Sequence, residues 1–243
     1  MTPDVEAAEI AALQTIFIAL GAAVADVGGW IVLARPDRPE HPWMHQVLAR
    51  EVAGEGDLDE ALALAGPTAQ VQTAAGVLAD GVLAARGLVV WSRLVRLVRP
   101  CHARPGPPAA TDLVLRQVGP EAAQDVVTVG LAGFDVGEPD WWSAPLGAPG
   151  WTQVAAYDGV VPVATGALHV SGPVAWVGAA STVPDHRRRG AQSALLAHRL
   201  QLAAASGATR VVSKVDPGTG SERNLLRAGF ERAYEVVQWR YGQ

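Results

Sequence analysis

The stretch Val183-Pro-Asp-His-Arg-Arg-Arg-Gly-Ala-Gln-Ser193 follows an apolar run with strand character and leads into a helix. Pro184 withholds an N–H from any strand ladder and so ends the run before it. Three arginines then stand where a loop becomes a helix, a place where unpaired backbone N–H groups and the helix dipole favour an anion. Gly190 lets such an anion approach the backbone with no side chain in the way. The stretch therefore reads as a phosphate-binding turn, against the plainer alternative of a solvated basic loop capping a helix.

Working outward, residues 111–243 read as one complete α/β unit. Thr111 to Gln117 alternates like a first strand, and Pro120 to Gly130 has helical spacing. Trp151 to Tyr157, the turn Asp158-Gly159, and Val160 to His169 form a hairpin, since Asp-Gly tolerates the positive φ that such a turn needs. Gly172-Pro173 turns the chain again, and Val174 to Val183 enters the arginine loop. Ala191 to Ser206 is a helix stopped by Gly207, Thr209 to Val215 a buried strand, Glu222 to Ala228 a short helix ended by Gly229, and Glu235 to Tyr241 a last strand.

Two motifs in this order carry a family resemblance. Arg187-x-x-Gly190-x-Gln192 resembles the acyl-CoA signature of the GNAT superfamily of N-acetyltransferases, Gln/Arg-x-x-Gly-x-Gly/Ala, and departs from it at Gln192. Ser221-x-x-Asn224-x-x-Arg227-Ala-Gly229-Phe230 resembles the family's second motif, a short helix ending in Gly-Phe. The order β-α-β-β-β-α-β-α-β is the family's usual succession with a shortened helical region early on. The resemblance implies an α+β acyl-CoA N-acyltransferase fold, a mixed sheet flanked by helices.

It also implies a site. The backbone of Ala180, Ser181 and Thr182 is expected to grip the pantetheine arm of acetyl-CoA, and the loop of Arg187, Arg188, Arg189, Gly190, Ala191, Gln192 and Ser193 to hold the pyrophosphate, with Asn224 and Arg227 nearby. The implied reaction is direct transfer of the acetyl group to an amine of a small molecule or peptide in a ternary complex, with acetyl-CoA as co-substrate and no metal. Leu225 stands where many members carry a tyrosine that protonates the leaving thiolate. Either another donor serves, with Tyr234, Tyr157 and Ser181 as candidates that each also read as structural, or the thiolate leaves unassisted. His169 is the base that the chemistry favours, its other reading being a surface histidine at a hairpin end. Asp135 and Glu138 with Trp141, Trp142 and Trp151 suit an amine-bearing acceptor, or the tryptophans simply fill a core edge. The competing class is a non-catalytic acyl-CoA-binding or structural protein of the same fold.

Residues 1–100 have the composition of a folded domain, with Trp30, Trp43 and Trp91 among many aliphatics. Glu6 to Leu20 and Leu58 to Ala65 read as helices, the second with Asp57 as a cap, and Trp30 to Ala34 as a strand. Leu83-Ala-Ala-Arg-Gly87-Leu88, with the strand-like Leu94 to Val98 after it, echoes Leu226-Arg-Ala-Gly229-Phe230 and its closing strand, as a degenerate second copy of the fold would. An unrelated helical domain is the alternative. Residues 101–110, with Pro105, Gly106, Pro107 and Pro108, read as the linker.

Net charge is −5 and the arginines concentrate at one loop, which speaks against nucleic acid as a partner. Lys214 stands alone against eighteen arginines, as in proteins of GC-rich bacteria. The single cysteine, Cys101, fits a reducing compartment. His41 and His45 have metal-like spacing but no third ligand. The apolar Ile10 to Val24 follows acidic residues and is too short to span a bilayer. The expectation is a cytoplasmic protein with no membrane partner, a monomer or homodimer.

Overall fold

The computed structural model describes residues 3–78, 80–102, 110–134 and 138–242. The chain begins with α1 (Pro3–Ala19), β1 (Ala23–Val27), β2 (Trp30–Ala34), β3 (His45–Ala49), α2 (Leu58–Ala65), β4 (Gln70–Ala74), α3 (Asp80–Ala84) and β5 (Leu88–Pro100). It continues with β6 (Val114–Val118), α4 (Ala123–Gly133), α5 (Pro139–Ser143), β7 (Trp151–Asp158), β8 (Val161–Ser171) and β9 (Val174–Thr182). The last elements are α6 (Ala191–Ala205), β10 (Arg210–Val215), α7 (Gly220–Arg227) and β11 (Glu231–Tyr241). No helix among the described residues is long and apolar enough to cross a membrane.

The chain forms two compact units. The first comprises Met1–Leu97, Lys214–Thr219 and Arg232–Gln243, the second Val98–Ser213 and Gly220–Glu231. Sequence reasoning gives 111–243 to one unit, whereas the contacts hand its last strand to the first. The reason is pairing: β11 runs antiparallel to β4, with Val237 opposite Thr73 and Trp239 opposite Val71. Val237 and Trp239 then pack into one apolar cluster with Trp30, Leu58, Leu62 and Val71. Most of the expected linker, residues 103–109, lies outside the described residues.

In the first unit the strands lie in the order β1-β2-β3-β4-β11-β5, with β3 and β4 parallel. Helix α2 covers them through Leu58, Ala61, Leu62 and Ala65, the i, i+3, i+4, i+7 stripe of an amphipathic helix. Asp57, the expected cap, makes no capping hydrogen bond; its carboxylate lies over Gly28, which leaves it room.

Helix α1 buries Val5, Ala8, Ala12 and Phe17, and with them the acidic Glu6 and Glu9. Arg96 on β5 meets Glu6 through Nε at 3.1 Å and also bonds Glu9, while Lys214 Nζ lies 2.9 Å from Glu9. Two cations and two anions offset one another in the interior, which is what makes the burial of any of them tolerable.

In the second unit the order is β10-β9-β8-β7-β6, antiparallel except for β9 and β10. Leu113, Val154, Ala156, Val163 and Ala164 form a core against Ala191 and Leu195 of α6. The two series repeat. The succession β3, α2, β4, α3, Gly87, β5 matches β9, α6, β10, α7, Gly229, β11 element for element. Gly87 and Gly229 both end their short helices at positive φ, +78° and +86°. In each series a short helix closed by a glycine leads into a long strand, in a mixed α+β sheet fold flanked by helices.

Candidate functional site

Strand β9 is where the second unit departs from regular geometry. It pairs with β10 only over Val174–Trp176 against Arg210–Val212. Just past that, the Ser213 hydroxyl donates to the Val177 carbonyl at 2.9 Å. Gly178, Ala179 and Ala180 are then partly exposed although they belong to an internal strand.

The other edge of β9 is irregular as well. Ser181 faces Thr165 and Gly178 faces Ala167, so Ala179 and Ala180 oppose Gly166 alone. This is a β-bulge, two residues against one. Ala179 takes φ +43°, which a non-glycine residue adopts at a cost of about 1–3 kcal/mol.

Under the bulge lies Arg199 of α6, 3% exposed. Its Nη1 donates to the Ala167 carbonyl at 3.0 Å and to the Gly178 carbonyl at 3.2 Å, and its Nε to Leu195 of its own helix. Burial with no acid beside it pulls its pKa down to about 10, which leaves it charged at neutral pH. Sequence reasoning missed Arg199. The available sign was a cation inside the buried stripe of Leu195, Leu196, Leu200 and Ala203.

The arginine loop follows β9. Arg188 and Gly190 are both left-handed, at φ +66° and +79°, and Gly190 is the N-cap of the 15-residue helix α6. No side chain among the described residues caps that helix, and its first closing bond runs from Ala194 N–H to Gly190 O, so the amides of Ala191, Gln192 and Ser193 precede it.

The three arginines differ in their engagements. Arg189 donates to Asp158 and, at 2.6 Å, to Asp112, and these carboxylates raise its pKa. It fastens the loop to the sheet. Arg187 donates to the Thr182 carbonyl at 3.4 Å, and both it and Arg188 are exposed.

Gln192 also faces inward. Its amide nitrogen lies 2.7 Å from Ser181 O, 2.9 Å from Thr182 Oγ1 and 3.3 Å from Thr165 O. A larger residue at the family's small position thus finds its space between the strands. Ser181, one of the expected proton donors, gives its hydroxyl to the Val129 carbonyl at 2.7 Å.

The remaining candidates make contacts of their own. Asn224 and Arg227 bond each other on α7, and Leu225 between them is buried. Tyr157 donates to Asp125 at 2.8 Å; burial and that carboxylate push its pKa up to about 12. Tyr234 belongs to the first unit, where its hydroxyl bonds Glu6 and its pKa is raised by burial and by the Glu6 charge. Asp135 lies outside the described residues.

His169 is 4% exposed, so the surface reading of it is overturned. Trp151, His169 and Trp176 sit opposite one another on β7, β8 and β9, with ring centroids of Trp151 5.0 Å from His169 and 5.6 Å from Trp176. Burial lowers the pKa of His169 despite a hydrogen bond to the Pro149 backbone, and its Nδ1 has no hydrogen-bond partner. Trp142 is buried over Gly130, where an added Cβ would stand 2.2 Å from the indole, and packs on Phe134 at 5.5 Å; Trp141 is half-buried.

Residues 128–230 match the model of the acetyltransferase (GNAT) family. No curated protein matches the chain. Among solved structures, a GCN5-related N-acetyltransferase from Kribbella flavida superposes with a TM-score of 0.73 at 19% identity, covering 97% of this chain and 95% of that one. A GCN5-related N-acetyltransferase from Sphaerobacter thermophilus gives 0.63 at 15% identity, over 88% and 80%. A tandem GNAT protein from the clavulanic acid biosynthesis pathway gives 0.59 at 14% identity, over 89% and 80%. At these identities the likeness is one of fold.

Proposed function

We propose, for a chain whose residues 128–230 are a GNAT-family acetyltransferase domain, that it moves an acetyl group from acetyl-CoA to an amine of a small molecule or peptide in a ternary complex. The observation that carries this is the uncapped N-terminus of α6 behind left-handed Gly190, directly after a strand whose edge is open from Gly178. Amides of Ala191, Gln192 and Ser193 suit a pyrophosphate, with the helix dipole behind them and Arg187 and Arg188 beside them. The open backbone of Gly178 to Thr182 suits an amide-bearing arm, which it would hold by strand-like hydrogen bonds.

The thioester supplies the reactivity: the amine nitrogen forms a C–N bond as the C–S bond breaks and the thiol leaves. The protein has to align the two and accept a proton from the ammonium. His169 keeps the part of base in this reading, since it stays neutral at pH 7 and its Nδ1 is without a partner. Tyr234 drops out, because its hydroxyl already serves Glu6. No tyrosine replaces Leu225, so the thiolate, whose pKa is near ~8.5, leaves without a dedicated donor. Trp141, Trp142 and Trp151 are then wall residues of the acceptor side, consistent with their packing.

The second reading is a non-catalytic acyl-CoA-binding protein, which the burial of Leu225 and the engagement of Tyr157 and Ser181 favour. Calorimetric titration with acetyl-CoA, CoA and a longer acyl-CoA tests the binding common to both. Thiol release across a panel of amines separates them: release supports transfer, and tight binding with no release supports the second.

A further inference from the structure

The bulge between β8 and β9 needs something to hold it. Where Ala179 and Ala180 oppose Gly166, the ladder cannot supply its usual pair of bonds. The carbonyls of Ala167 and Gly178, one on each strand at the bulge, point instead at the same nitrogen, Nη1 of Arg199. The guanidinium thus replaces the missing rung and fixes the two strands at its own width. Gly166 is part of the same arrangement, because a Cβ there would stand 2.6 Å from the guanidinium carbon.

A buried cation needs a reason. Glu6 and Glu9 neutralise Arg96 in the first unit, but no carboxylate among the described residues is paired with Arg199. Such a charge is costly unless hydrogen bonds to oriented carbonyls compensate it, and a methionine or leucine in this apolar stripe would fill the space at lower cost. The residue therefore does something that packing alone would not require.

We propose that Arg199 is a positioning residue: by bridging the Ala167 and Gly178 carbonyls it sets the bulge that turns the Ala179–Ala180 backbone toward the thioester end of a bound acyl-CoA. The inference rests on the reading of β9 as the acyl-CoA strand. Its chemistry divides the ligand in two. The arginine loop and the rest of the open strand recognise the phosphates and the amide-bearing arm, which acetyl-CoA and CoA share, while the bulge at Ala179–Ala180 recognises the acyl thioester, which only acetyl-CoA carries.

The test compares dissociation constants for acetyl-CoA and CoA, by calorimetry, in the wild type and in Arg199→Met, Arg199→Lys and Gly166→Ala. Leu200→Ala, a buried α6 substitution away from the bulge, controls for loss of stability. Arg199→Met and Gly166→Ala are expected to leave CoA binding within a factor of about 3 and to weaken acetyl-CoA by about 10-fold, the size of one lost hydrogen bond to a carbonyl. Arg199→Lys, which can still donate to both carbonyls, is expected to recover most of the preference. If acetyl-CoA and CoA weaken equally in Arg199→Met, as in Leu200→Ala, the positioning role is overturned. If Arg199→Met does not fold, Gly166→Ala decides alone. If the wild type binds neither ligand, the reading of β9 fails, a result distinct from failure of the role of Arg199.

Discussion

The side-chain nitrogen of Gln192 lies 2.7 Å from the carbonyl oxygen of Ser181, tying the first turn of α6 to the end of β9. Helix and strand are the two surfaces proposed to hold one ligand, so their spacing matters to both. Gln192→Ala is expected to weaken acetyl-CoA binding by about 3- to 10-fold while costing about 1 kcal/mol in stability. Gln192→Glu should do worse, because a carboxylate would face the carbonyls of Ser181 and Thr165. Calorimetry beside thermal melts checks both; equal affinity in all three proteins would disconnect this contact from the site.

The arginines should separate into two classes. Arg187→Glu with Arg188→Glu is expected to weaken acetyl-CoA by at least about 10-fold with an unchanged melting temperature, since neither side chain is committed to a carboxylate. Arg189→Ala is expected to lower the melting temperature, because it frees Asp112 and Asp158 from their shared partner. A reversed pattern would mean that Arg189 is the phosphate ligand.

His169 gives a signature in pH. Its pKa is lowered below the ordinary 6.5 by burial, so the fold favours the neutral ring. That stability is fully present above pH 6.5 and is lost as pH falls through 6.5 toward the folded value. The wild type should therefore melt lower at pH 5.5 than at pH 7.5, and His169→Gln should flatten that difference. If the ring is also the base, the same variant loses about 10²-fold or more in turnover at unchanged acetyl-CoA affinity.

The buried charges of the first unit predict acid sensitivity. Burial would raise the pKa of Glu9, but Arg96 and Lys214 outweigh it and hold it at about 2. Its contribution is present above 4.5 and disappears as pH falls from 4.5 toward 2. Glu9→Gln is expected to cost about 3–5 kcal/mol by leaving the buried Arg96 and the half-buried Lys214 with one anion. Denaturant melts at pH 7 and pH 3 check this: the variant's penalty should shrink at the lower pH.

Much of the second unit was legible because its signals are local. Asp158-Gly159 fixes a hairpin, Gly190 a cap, Gly207 and Gly229 helix ends, and each acts over a few residues. Strands β1, β3 and β4 were not read. The buried strand β4 has the sequence Gln-Val-Gln-Thr-Ala, polar by type, and its glutamines find partners inside, Gln70 in Gln46 and Gln72 in Glu9 and Gln238. The bulge escaped for a related reason. An alanine at positive φ has no local signature, and it exists because a guanidinium from a helix twenty residues later sits beneath it. The roles expected of Tyr234 and Ser181 were matters of residue type, and both hydroxyls are occupied by partners far along the chain.

The place of β11 between β4 and β5 has a consequence for how the protein is made. A ribosome delivers the first unit's other strands early, yet the strand that completes their sheet emerges only after every strand of the second unit. Until residues 232–241 are free, β4 offers an unpaired edge to any passing strand. Such a chain is exposed to mispairing for as long as the second unit is being made.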